Sequence, residues 1–214
     1  MLLGKDLAVE FRSRETLSSV LVLAVLVVLV LGFAAPSGVS AEAAGGLLWV
    51  ALLFPALQIQ TRLWASEADQ GMLDALMGAP VGPAVLWLSK FLLSVVLTAV
   101  LALVLTPLFL VIIGETVRGP LGIFLAGMAL GVIGLGAVGA TLSLLTARMR
   151  LREALMPLMA LPLSVPLFLG AVVITSGSLS GTPHQVGLWL LLMGVFDVMY
   201  IALPLLVADI LMEV

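Results

Sequence analysis

Residues Val85 to Ile113 read VLWLSKFLLSVVLTAVLALVLTPLFLVII, with Lys90 the one charged side chain in the run. A helix crossing a hydrocarbon core of about 30 Å needs about 20 predominantly apolar residues, and this stretch exceeds that length. It reads as a membrane-spanning helix. Five further apolar runs accompany it, about Leu17 to Ala35, Gly45 to Gln60, Pro120 to Thr146, Ala154 to Thr175 and Val186 to Leu211. Six crossings use roughly 120 apolar residues, close to the whole supply in a chain of 214 residues that is 63% apolar. Only 10% of the residues are charged, where a soluble domain carries about 25%. The expected fold is therefore an all-α polytopic membrane protein with six transmembrane helices.

That count leaves little chain for anything else, so no separate soluble enzyme domain fits. The chain has no Cys and a single His, which removes disulfides, thiolate chemistry and a multi-His metal site. A net charge of −3, without a Lys/Arg run among aromatics, argues against nucleic acid as a partner. Gly78 to Val85 has the glycines of a phosphate loop but no Lys, and neither an H-E-x-x-H nor a G-x-S-x-G pattern occurs. ATP hydrolysis by this chain alone is not expected, and the chain reads as non-enzymatic.

Orientation follows from the basic residues. Lys5, Arg12 and Arg14 precede the first span, Arg62 and Lys90 flank the connection between spans 2 and 3, and Arg148, Arg150 and Arg152 fill that between spans 4 and 5. With six spans these eight share one side and Arg118 stands alone on the other. By the positive-inside rule the eight face the cytoplasm, together with both termini. The expected location is a bacterial cytoplasmic (inner) membrane. The first apolar run exceeds the core of a signal peptide and follows Asp6, Glu10 and Glu15, so it is read as a retained helix.

Two short segments outside the spans are amphipathic. In the first, residues 1–16, Leu3, Leu7 and Phe11 recur every four residues, and Glu10 and Arg14 form an i, i+4 pair. This predicts a helix in the cytoplasmic interface, preceding a permease domain over 17–214. The second lies in the longest inner loop, 61–83. Glu67 and Asp69 precede Met72, Leu73, Leu76 and Met77 at helical spacing, and Gly78 and Pro80 end the pattern. An apolar face on this short cytoplasmic helix offers either a protein docking surface or a membrane contact.

Within the spans, Gly127 and Gly131 have the small-xxx-small spacing that permits close helix approach. Pro157, Pro162 and Pro166 each remove a backbone donor from span 5 and shape that helix. Asp197 lies near the middle of span 6, where a carboxylate is costly and marks a functional candidate; a neutral, hydrogen-bonded structural Asp is the competing reading. His184 sits in an outer loop beside Pro183, either solvated or available as a haem-iron ligand.

The segment from Asp69 to Met77 (DQGMLDALM), then Pro80, Pro83-Ala84-Val85, Ser89-Lys90 and Leu161 to Leu167 (LPLSVPL), resembles CcmB, the membrane subunit of haem-exporter ABC transporters of cytochrome c maturation. The resemblance extends over the whole chain, and its acidic-Gly-Leu core is shared with ABC-2, type V exporter-like permeases. It implies two copies of the permease, coupled to the ATPase CcmA through the N-terminal helix and the 61–83 loop. Glu67, Asp69, Gly71, Leu73, Leu76, Met77 and Pro80 become the ATPase-coupling residues. The same resemblance implies CcmC, CcmD and the haem chaperone CcmE as further partners. Haem contact in such systems is associated with a Trp-rich outer loop and His ligands. Trp49, Trp64, Trp87 and Trp189 are scattered here, so haem and ATP are assigned to partner subunits, with no cofactor held by this chain.

Three rival readings start from the same residues. A permease of the ABC-2 class exporting a lipid, drug or peptide shares the coupling pattern. An intramembrane enzyme using Asp197 and Asp209 has its two carboxylates twelve residues apart, roughly 18 Å along one helix, too far to act as a pair. A passive channel lacks the rings of polar residues expected of a selectivity filter.

Overall fold

The computed structural model describes residues 15–34, 38–64, 82–147, 149 and 151–208, with residues 15–17 described by backbone alone. Among them stand six helices and no strand: α1 (Glu15–Ala34), α2 (Ala41–Arg62), α3 (Pro83–Ile113), α4 (Leu121–Thr146), α5 (Arg152–Ser180) and α6 (Val186–Leu206). Helices α2 to α6 are long and apolar enough to cross a membrane. Helix α1 has 20 residues, about 30 Å of rise, and its described apolar part is Ser18–Ala34. The six apolar runs are thus six helices in the expected order.

The helix ends show why some limits differ from the apolar runs. Helix α2 begins at Ala41 rather than Gly45, because Ser40 caps it: Ser40 Oγ accepts from the Ala43 N–H at 3.3 Å, and Glu42 stands in the first turn. Helix α5 continues past Thr175 to Ser180, where Gly181 at φ 81° closes it. Helix α3 starts with Pro83 at the N1/N2 position and ends on Gly114, left-handed at φ 78°, whose N–H donates to the Leu110 carbonyl.

Helix α4 is the hub, packing against α2, α3, α5 and α6. Its glycines make the approach possible. A Cβ on Gly131 would strike the Trp49 ring of α2, one on Gly127 would meet Ile174 of α5 at 2.5 Å, and one on Gly136 would meet Val95 of α3 at 2.6 Å. The small-xxx-small pair therefore serves packing within the chain, each glycine receiving a different helix. Trp49 is 1% exposed, its Nε1–H donates to Thr175 Oγ1 of α5 at 3.0 Å, and its ring meets Phe168 edge-on at 6.0 Å.

The outer surface is as apolar as the core. Leu103, Val111, Leu158, Leu191 and Leu206 point outward and are strongly exposed. In water such a surface would aggregate, whereas in lipid it is the solvated face. Of the five helices long enough to cross a membrane, α6 is the least enclosed, burying mainly Met193, Phe196, Asp197 and Pro204.

Candidate functional site

At one face of the bundle, the end of α2 and the start of α3 meet on an aromatic cluster. Trp64 and Trp87 are each at most 1% exposed, and Trp87 stacks on Phe91 with ring centroids 5.3 Å apart. Lys90 is itself buried, with Nζ 5.5 Å from the centroid of the Trp64 ring, a cation–π contact. The ammonium thus ties Trp64, just past α2, to the second and third turns of α3. Both roots of the 61–83 loop are held by these contacts. The seven coupling residues Glu67, Asp69, Gly71, Leu73, Leu76, Met77 and Pro80 lie outside the described residues, as does the amphipathic segment before Glu15.

Deeper in the bundle, two polar side chains are enclosed by apolar ones. Gln60 is 1% exposed and its Nε2 donates to the Leu135 carbonyl of α4 at 2.7 Å; Gly139 leaves the room for it. Asp197 is 4% exposed and turned inward between α4 and α5, where its Oδ1 occupies the space a Cβ on Gly134 would take, next to Leu167. Neither Asp197 oxygen accepts a hydrogen bond among the described residues. Its neighbours Val195, Val198 and Met199 face outward, so the carboxyl is the polar point on the inward face of α6. A buried carboxyl with no partner is costly, which singles it out.

Helix α5 runs unbroken through Pro157, Pro162 and Pro166. Pro162 and Pro166 stand on its exposed side and Pro157 is half-buried. The other aromatic and imidazole groups are spread through the fold. Trp49, Trp64 and Trp87 are interior, Trp189 is half-buried, and His184 is exposed in the turn between α5 and α6. Among the described residues no three His, Cys, Asp or Glu side chains are grouped to hold a metal ion.

The family model described as CcmB protein covers residues 1–211. The chain belongs to the CcmB family. Among curated relatives, Heme exporter protein B of Rhodobacter capsulatus is 30% identical over 181 residues, 83% of this chain and 82% of that protein. Heme exporter protein B of Pseudomonas aeruginosa is 27% identical over 187 residues, 86% of this chain and 83% of that protein. The CcmB match takes in the segment before α1 and the 61–83 loop as well as all six helices. This CcmB-family chain is accordingly a multi-pass membrane protein.

Sequence reasoning found Asp197 because a carboxyl in an apolar run is visible by itself. It missed Gln60, which closes the α2 run as one more polar residue near a helix end and shows its role only when α4 supplies Leu135 and Gly139. It also read Lys90 as a topology charge and a point of resemblance, whereas the side chain is folded inward over Trp64.

Proposed function

We propose that the chain is the membrane permease subunit of an ABC transporter in haem export and cytochrome c biogenesis, driven by a separate ATPase. The observation that carries this reading is the CcmB match over residues 1–211, joined to two relatives named Heme exporter protein B that each align over four-fifths of their length. In this reading CcmA binds at the cytoplasmic face through Glu67, Asp69, Leu73, Leu76 and Met77, with Gly71 and Pro80 shaping the segment. CcmC, CcmD and CcmE handle haem, and a second copy of the chain completes the permease. The membrane is the bacterial inner membrane, with both termini in the cytoplasm.

The described geometry supports a route for force. The loop roots are fixed by Lys90 over Trp64 and by Trp87 on Phe91, so a push on the loop is delivered to α2 and α3 together. Helix α2 is bonded to α4 through Gln60, and α4 touches α5 and α6. Nucleotide-driven closure of the ATPase pair would then shift the bundle as connected helices rather than flex a loop. Asp197, at the junction of α4, α5 and α6, is placed to respond to that shift.

Replacing Leu73 and Leu76 together by Asp tests the docking surface. The expected outcome is loss of ATPase co-purification with the helical content of the membrane-embedded chain unchanged. Retention of the ATPase by the doubly substituted chain would remove these residues from the interface.

A further inference from the structure

A cavity of about 480 Å3 follows the seam between α3 and α4, from Val95 to Pro107 on one wall and from Phe124 to Ile133 on the other. Both helices and the connection between them are described throughout. The space exists because Ala99, Ala102 and Ala129 line it where larger side chains would close it. Leu103 and Leu125, also in its wall, are 76% and 55% exposed, so it opens toward lipid. Phe124 stands in the first turn of α4 and Ile133 at its middle. The nine residues between them rise about 14 Å, close to half of a hydrocarbon core of about 30 Å. The cavity is thus about one leaflet deep, and every lining residue is uncharged.

Its end near Pro107 carries two polar groups that the fold leaves without partners. Pro107 lies inside α3 and has no N–H, so the Leu103 carbonyl loses its ordinary helix donor. Thr106 is nine-tenths buried, and its enclosed Oγ1 has no hydrogen-bond partner among the described residues, so it does not serve that carbonyl either. Threonine in a helix has two accessible χ1 states, by which the hydroxyl can turn toward a ligand. From these features we infer that the cavity is a binding site for a neutral, single-chain lipid with a hydroxyl head, a long-chain or isoprenoid alcohol. The ligand hydroxyl donates to the Leu103 carbonyl and accepts from Thr106, and its chain runs past Ala99 and Ala129 toward the bilayer centre. A charged head would meet no counter-charge here. The ester oxygens of an ordinary phospholipid accept but do not donate, and would leave the Leu103 carbonyl unmet.

Photolabelling of the full chain with its co-purifying subunits in phosphatidylcholine vesicles tests the assignment. The probes are hexadecanol carrying a mid-chain diazirine and the methyl ether of the same molecule, which cannot donate. One hydrogen bond inside a bilayer is worth about threefold in binding. The alcohol should therefore label the cavity wall about threefold more than the ether, and Thr106→Val should lower alcohol labelling about threefold. Pro107→Ala returns an N–H to the Leu103 carbonyl and should bring alcohol labelling down to the level of the ether; it decides the matter if the Thr106 variant does not fold. Competition by unlabelled hexadecanol or by farnesol supports the site, and the stronger competitor identifies the chain as straight or isoprenoid. Equal labelling by alcohol and ether, unchanged alcohol labelling in Pro107→Ala, or competition by neither alcohol would each overturn the proposal and leave the cavity to ordinary phospholipid chains.

Discussion

Asp197 is the residue whose position is hardest to explain by packing alone. Its carboxyl is closed in by Gly134 and Leu167, and no described residue donates to it. Leucine or methionine at this place would remove the desolvation cost, so its presence points to a use. Asn has the same shape, and exchanging a buried ionisable group for a neutral one is often neutral or stabilising. Asp197→Asn should therefore leave the unfolding midpoint in detergent unchanged or raised, with the complex assembled, while cytochrome c maturation falls. Asp197→Ala should also empty the space beside Gly134 and Leu167, costing about 0.5–3 kcal/mol. Maturation at the normal level in both variants would make Asp197 a tolerated structural residue. This candidate was legible in the sequence as a lone carboxyl in an apolar run. Gln60 and Lys90 were not, because their burial depends on Leu135 and Trp64, which are distant or on another element.

At the scale of elements, six helices were readable from apolar length because the bilayer demands it of any span. Which helices touch was not readable. In lipid the outward and inward faces are both apolar, as Leu103 and Leu101 on α3 illustrate, one 76% exposed and the other fully buried, so periodicity carries little information about neighbours. Glycines carry more, but the spacing of Gly127 and Gly131 did not reveal that they receive different helices, α5 and α2. The tightest backbone approach is between α2 and α5, where a Cβ on Gly45 would lie 2.7 Å from the Ser176 amide nitrogen and 2.9 Å from its Cα. Backbone cannot step aside as a side chain can. Gly45→Ala should thus destabilise the bundle by about 1–3 kcal/mol, whereas Gly122→Ala on α4, which meets nothing within 4 Å, should be neutral or slightly stabilising. Unfolding of the two variants in mixed detergent checks the contrast, and equal stability would deny the close α2–α5 approach.

For the whole molecule, the sequence places charge on one working face, and the structure brings part of that face together: Arg62 and Arg152 share a cavity, and Lys90 reaches Trp64. Arg118 belongs to the opposite end, where its backbone N–H donates to the Ser178 carbonyl near the end of α5. The orientation is testable because the chain has no Cys, so a single introduced thiol is a unique reporter. Thr182→Cys, in the exposed turn before α6, should react with a membrane-impermeant maleimide from the periplasmic side, and Leu151→Cys, 69% exposed before α5, only after lysis. The reverse pattern would invert the assignment. The central claim, a permease subunit serving haem export with a partner ATPase, is tested most directly by removing this chain from its own cells and measuring covalent haem in c-type cytochromes. Loss of that haem, restored by the intact chain and not by the Leu73→Asp/Leu76→Asp form, is the predicted result; undiminished cytochrome c without the chain would contradict it.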